Sequence, residues 1–204
     1  MSIADSKKLI KLLRHSAKDR GLLIDESGFI KISEILKLPE FQNQNHQSIL
    51  KIANDCPKQR FHIKNDTYIS ANQGHSFKIN SNLSMEKLTL HNLSKFNLDL
   101  SRIVHGTYFK AWQLIKKSEG LNKMSRQHIH FANGIPGESE VISGMRKSCQ
   151  VIIHLELTKA IESGLTFYLS KNNVILSEGD SDGFISSRFF SKVINRSTGE
   201  ILHF

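Results

Sequence analysis

In KMSRQHIHFANG, residues 123–134, an arginine and two histidines occupy every second position ahead of a glycine. Side chains alternate faces along a β-strand, so a strand starting by Arg126 turns Arg126, His128 and His130 the same way. Three polar groups buried together without partners would be costly, so the pattern reads as a site. Two chemistries compete for it. His128 and His130, joined by His105, match the His-x-His pattern of a strand-borne zinc site. Against zinc, Arg126 would set a permanent cation beside the metal, with no carboxylate nearby to balance it. In the second reading the face binds an anion. Arginine presents a planar fork of donors to phosphate, and histidine adds donors and titrates near neutral pH. The scarcity of nearby acids favours the anion.

A second set of basic residues lies upstream. Arg14 and His15 end the apolar stretch in LLRHSA, and Arg60 stands in KQRF. Taken singly, each reads as a solvent-facing charge. Lysine and arginine outnumber acids 28 to 19, a formal charge of +9, which suits a polyanionic partner such as nucleic acid. The 204 residues are 39% hydrophobic, a globular composition with room for one large domain or two small ones. No apolar run approaches the length of about 18 residues that a transmembrane helix needs, so no membrane partner is expected. The opening MSIADSKKLIKLLRH does not read as a secretory signal. Cys56 and Cys149 form no CxxC pair, which argues against a thiolate metal site or a disulfide framework and for an intracellular compartment, cytoplasm or nucleus.

The elements that must position these residues fall into two lobes. In residues 1–80, helices are expected over 5–17, over 31–38 (started by Ser33 and stopped by Pro39) and over 46–55. A hairpin over 60–71 turns at Asn65-Asp66, with Phe61 and Ile63 inward. Three short helices and a hairpin are the parts of a winged-helix module. Residues 81–100 are polar and weakly periodic and read as a connection, with room for one short helix. From 101 to 204 the pattern is β-rich, with strands near 101–107, 127–132, 150–157, 166–170, 173–176 and 188–194. One helix, 108–120, is expected to bury Phe109, Trp112 and Ile115 and to be capped by Gly120. Many short strands suggest two packed sheets. The class is α+β.

Read in order, LLRHSA (12–17), GLLID…GFI (21–30), KQRFHI (58–63), ANQGHS (71–76), HGT (105–107), MSRQHIHFA (124–132), VISGMR (141–146) and NNVIL (172–176) resemble the RNA (tRNA) 2′-phosphotransferase family, in the manner of its eukaryotic members, over roughly residues 5–195. The resemblance implies a winged-helix-like N-terminal lobe, an ADP-ribosyltransferase-like NAD-binding C-terminal lobe, and one active site drawing on both. It implies a monomer that acts on RNA with an internal 2′-phosphate, as at a tRNA splice junction, and consumes NAD without a metal. The phosphate attacks C1″ of the NAD ribose and expels nicotinamide; O2″ then attacks phosphorus. RNA with a 2′-OH and ADP-ribose 1″,2″-cyclic phosphate result.

The family's essential Arg-His-Arg-Arg set matches Arg14, His15, Arg60 and Arg126. The three arginines would contact phosphate, and His15 would donate to it or carry a proton in the second step. The resemblance also places His105, Gly106 and Thr107 at the nicotinamide-side ribose, His128 and His130 along the same site, and Arg146 at a phosphate or pyrophosphate. Gln73 and His75 are candidates to touch RNA or to shape the site. The late strand NNVIL carries no acid, which fits a nucleophile that is already an anion. Two other readings stand beside this one: an ADP-ribosyltransferase acting on terminal nucleic-acid phosphates or a protein, and a non-catalytic RNA-binding module.

Overall fold

The computed structural model describes residues 3–135 and 144–204; residues 136–143, which hold the first half of VISGMR, lie outside the described residues. The chain divides into two compact units, Met1–Met85 and Glu86–Phe204.

The first unit opens with α1 (Ile3–Lys11), which runs on into a π-helical turn, Leu12–Ser16. The widened turn closes through Ala17 N–H donating to Leu12 C=O at 3.0 Å. β1 (Ile30–Lys31) leads directly into α2 (Ile32–Ile35). This helix is shorter than the sequence suggests, and Ser33 does not start it. Its first and last residues, Ile32 and Ile35, are fully buried, so packing rather than a cap sets it in place. α3 (His46–Asn54) begins at a reciprocal cap: Asn45 Oδ1 accepts from Ser48 N–H, and Ser48 Oγ accepts from Asn45 N–H, both at 2.9 Å. Its buried stripe is Ile49, Ile52 and Ala53.

β2 (Phe61–Lys64) and β3 (Tyr68–Ala71) form the expected hairpin. Asn65 and Asp66 take left-handed φ of 50° and 48°, the geometry that matches strand twist and that these residue types tolerate. Phe61 is buried and Ile63 half-buried. The three strands pair antiparallel in the order β1-β3-β2, and one apolar core joins them to α1, α2 and α3. α4 (Ser81–Ser84) closes the unit.

The second unit is a seven-stranded, wholly antiparallel sheet in the order β12-β8-β5-β7-β10-β9-β4. Its strands are β4 (Glu86–Leu88), β5 (Ile103–Thr107), β7 (Ile129–Asn133), β8 (Val151–Leu155), β9 (Phe167–Leu169), β10 (Val174–Ser177) and β12 (Phe190–Asn195). α5 (Phe109–Lys117) follows β5, and α6 (Leu157–Glu162) follows β8. A two-stranded piece, β6 (Gly120–Asn122) with β11 (Phe184–Ser186), stands apart from the large sheet. One main sheet with this small pair therefore replaces the two packed sheets expected. Residues 86–88 of the presumed connection form its edge strand, and Leu93 enters the core.

Alternation builds both faces. Ile103, Ile129, Phe131 and Ile153 pack with Trp112 of α5, while Val104, Ala132 and Ile152 pack with Met145 and Cys149. Two details differ from the sequence reading. Phe109 is 38% exposed, leaving Trp112 and Ile115 to face the core. Gly120 is not a helix cap. Glu119 takes the left-handed turn, φ 57°, and Gly120 lies within β6, where an added Cβ would fall 2.3 Å from the Ile185 carbonyl oxygen.

Candidate active site

In the first unit the π-helical turn sets the side chains. Leu12 and Leu13 are buried, leaving Arg14 half-buried and His15 exposed. π-turns inside helices are often found at functional positions. Arg14 Nη2–H donates to Gln73 Oε1 at 3.0 Å. Its guanidinium also lies against Gly74, where a Cβ would come within 3.1 Å of Nε. The same loop reaches Arg60: Asn72 N–H donates to Arg60 C=O at 2.8 Å. Arg60 Nη1–H meets Cys56 Sγ at 3.5 Å. Burial pushes the Cys56 thiol up, but N–H groups of Arg60 and Lys58 and the Arg60 charge outweigh it and leave the thiol below its ordinary value. The segment 72–76 thus links two of the arginines singled out in the sequence. His75 is interior, only 1% exposed, with its ring against Phe77.

In the second unit a cavity of about 450 Å³ opens beside β5 and β7. His105, Gly106 and Thr107 line it, as do Arg126, His128 and His130, and Arg146 joins them. Lys123, Arg126 and Arg146 are on its wall, and among the described residues that line it there is no Asp or Glu. Arg126 itself lies before the strand, on a turn in which Met124 takes φ 55°. Asn122 Oδ1 accepts from Met124 N–H at 2.6 Å, and Lys123 C=O accepts from Arg126 N–H at 3.1 Å. Strained turns of this kind recur at binding sites.

His105 Nδ1 lies 2.9 Å from the His130 carbonyl oxygen. A carbonyl only accepts, so Nδ1 carries the proton, and Nε2 of the neutral ring is an acceptor. Burial lowers the His105 pKa, and the Arg126 charge lowers it further, against the carbonyl bond that raises it. His128 is 2% exposed, and burial depresses its pKa to about 4, with Glu178 opposing and Lys123 assisting. Both rings are therefore neutral at pH 7; of the two histidines that the sequence offers as titrating donors, His128 departs from that expectation. Glu178, just past β10, turns to Gln127 at 3.2 Å and His128 at 3.7 Å. Among the described residues no group of three His, Cys, Asp or Glu is gathered to hold a metal ion.

The cavity is compatible with a dinucleotide in size and lining. Its volume is within the range of cofactor sites. A neutral acceptor imidazole suits a ribose hydroxyl, Arg126 and Arg146 suit a pyrophosphate, and Leu121 and Ile129 offer apolar wall to a ring. Gly106 behaves differently from expectation. A Cβ there would fall 1.9 Å from Met145 Sδ, so what approaches its backbone is the Met145 side chain. The sequence reading overlooked Tyr108, which follows HGT directly and lines the same cavity. Its hydroxyl is 2.9 Å from Ser148 Oγ, and its pKa is lowered by that bond first and then by Arg146.

The family model described as RNA 2′-phosphotransferase, Tpt1/KptA family, matches residues 2–179. A Schizosaccharomyces pombe protein, provisionally named a tRNA 2′-phosphotransferase, is 42% identical over 97% of this chain, which spans only 52% of that relative's length. The Danio rerio tRNA 2′-phosphotransferase 1 is 38% identical over 92% of this chain and 83% of its own. The human protein of that name is 34% identical, over 93% and 74% respectively. No helix among the described residues is long and apolar enough to cross a membrane.

Proposed function

The chain belongs to the RNA 2′-phosphotransferase, Tpt1/KptA family, and from that premise we propose that it removes an internal 2′-phosphate from RNA, such as a tRNA splice junction, by transfer to NAD. The observation that carries the reading is the cavity wall of the second unit, which gathers three cations, Lys123, Arg126 and Arg146, with a neutral acceptor histidine, His105. NAD would supply the electrophilic C1″ of its nicotinamide ribose, giving nicotinamide, RNA 2′-OH and ADP-ribose 1″,2″-cyclic phosphate.

In this reading the second unit is an ADP-ribosyltransferase-like lobe. His105 Nε2 accepts a ribose hydroxyl, Thr107, His128 and His130 shape the wall, and Arg146 holds the pyrophosphate. The first unit is a winged-helix-like lobe, a reading supported by its first three helices and antiparallel hairpin. Arg14 and Arg60 hold the RNA phosphate, with His15 as a further donor. Arg126 is the phosphate contact that the second unit contributes. Permanently charged guanidinium groups stabilise the charge that builds on phosphoryl oxygens, and they do so without needing to lose a proton. The first step requires no base, since the phosphate is already nucleophilic. Two buried free cysteines suit a reducing, intracellular setting.

Nicotinamide release tests this. NAD should be consumed one-for-one with an RNA carrying one 2′-phosphate and not with the same RNA lacking it. An ADP-ribosylated RNA that accumulates and persists would instead indicate transfer without phosphate removal. No NAD consumption with either RNA would leave a binding protein.

A further inference from the structure

We propose that Gln73 and Gly74 brace the Arg14 guanidinium in its phosphate-binding pose, which makes Gln73 a positioning residue of the first unit. The inference rests on Arg14 being a phosphate contact, as proposed above.

The loop grips Arg14 at both ends. At the side chain, Gln73 Oε1 accepts from Nη2–H at 3.0 Å, and Gln73 is itself buried, at 4% exposure. Gly74 backs the guanidinium. Its φ is +89°, and a Cβ there would meet Nε at 3.1 Å and Cζ at 3.2 Å, so a side chain would both strain the backbone and crowd the arginine. At the main chain, Ser76 donates to the Arg14 carbonyl from N–H at 2.9 Å and from its hydroxyl at 3.3 Å. His75 is buried with Nε2 3.3 Å from where a Gly28 Cβ would stand.

The chemistry explains why the residue is glutamine. A free arginine side chain gives up rotamer entropy when a ligand orders it. A brace removes that cost before the ligand arrives. A glutamate could hold the same N–H, but it would neutralise the cation. The neutral amide orients the guanidinium and leaves its charge for a dianion.

The test measures equilibrium binding of the full chain, without NAD, to two short RNAs identical but for one internal 2′-phosphate. Wild-type protein is expected to prefer the phosphorylated RNA. Gln73→Met, which keeps the volume and removes the acceptor, should weaken that RNA about tenfold, the size of one hydrogen bond to a charged group, and leave the unmodified RNA unchanged. Gly74→Ala crowds the same guanidinium independently, so it decides the matter if Gln73→Met fails to fold. In an Arg14→Ala background neither change should cost anything more, because both act through Arg14. Preference kept in both single variants overturns the brace. So does equal weakening of both RNAs that persists in Arg14→Ala, which would mark a general folding role. A wild type that binds both RNAs alike overturns the phosphate reading of Arg14, and the brace with it.

Discussion

Arg14 and Arg126 carry the same group on opposite kinds of support. Arg14 leaves a π-helical turn, is half-buried, and is held by a buried amide and a glycine from one loop. Arg126 is exposed, and its turn, around a left-handed Met124, is held by the Asn122 side-chain oxygen, the Lys123 carbonyl and a bond from Lys123 N–H to the Gly183 carbonyl. Around Arg126 stand the neutral rings of His105 and His128 and the sheet behind them. The difference teaches that a cation can be fixed by gripping its head or by fixing the walls around it. A gripped arginine suits a ligand that must be met in one pose. An arginine on a turn can follow a group whose charge and position change during a reaction.

The comparison is sharpened most by removing the turn-borne cation. Arg126→Ala should lower kcat/KM for phosphate transfer by about 10³-fold, the scale of losing one transition-state charge contact, with little change in melting temperature. A loss below about tenfold would break the contrast, because Arg126 would then be a surface charge.

Acid should act on the walls instead. His128 has a folded pKa of about 4 against an ordinary value of 6.5. Its unfolded form binds the proton first, so its contribution is full above pH 6.5 and is lost as pH falls toward 4. That loss is about 3 kcal/mol by pH 4. The drop in unfolding free energy between pH 7 and pH 4, from urea titrations, should therefore shrink by about 3 kcal/mol in His128→Gln. An unchanged drop would mean that His128 is not held neutral.

A smaller effect is expected where Met145 covers Gly106. Gly106→Ala must displace Met145, and it should raise KM for NAD about tenfold while leaving KM for RNA unaltered. Equal changes in both constants would speak against a wall specific to NAD. Asn122→Ala, which frees the Met124 turn, should lower kcat only a few-fold, since a backbone-held turn keeps its other bond at Lys123.

What was legible in the sequence was local. Ile129, His130, Phe131 and Ala132 alternate in type and therefore in face. Asn65-Asp66 announced a hairpin because few other residues tolerate two left-handed angles. Period two identifies a strand but not its sheet, so one large sheet with a separate pair was read as two packed sheets. The helix Leu157–Glu162 escapes the sequence reading, which takes Leu157 as the end of an apolar strand, because six residues are too few to display a helical period. Gly120 looked like a cap since it follows a helix; only its closeness to Ile185 reveals why a side chain is excluded. The grip of Gln73 on Arg14 joins residues 59 apart, and no pattern of nearby residues encodes it. Gathering Arg126, His128 and His130 on one wall was foreseen, although the strand starts only at Ile129.

The most direct measurement follows the phosphate itself. A short RNA radiolabelled at a single internal 2′-phosphate is incubated with the full chain, with and without NAD. The account predicts label in ADP-ribose 1″,2″-cyclic phosphate only when NAD is present, and none with Arg126→Ala over the same time. Label that remains on the RNA under every condition would contradict it.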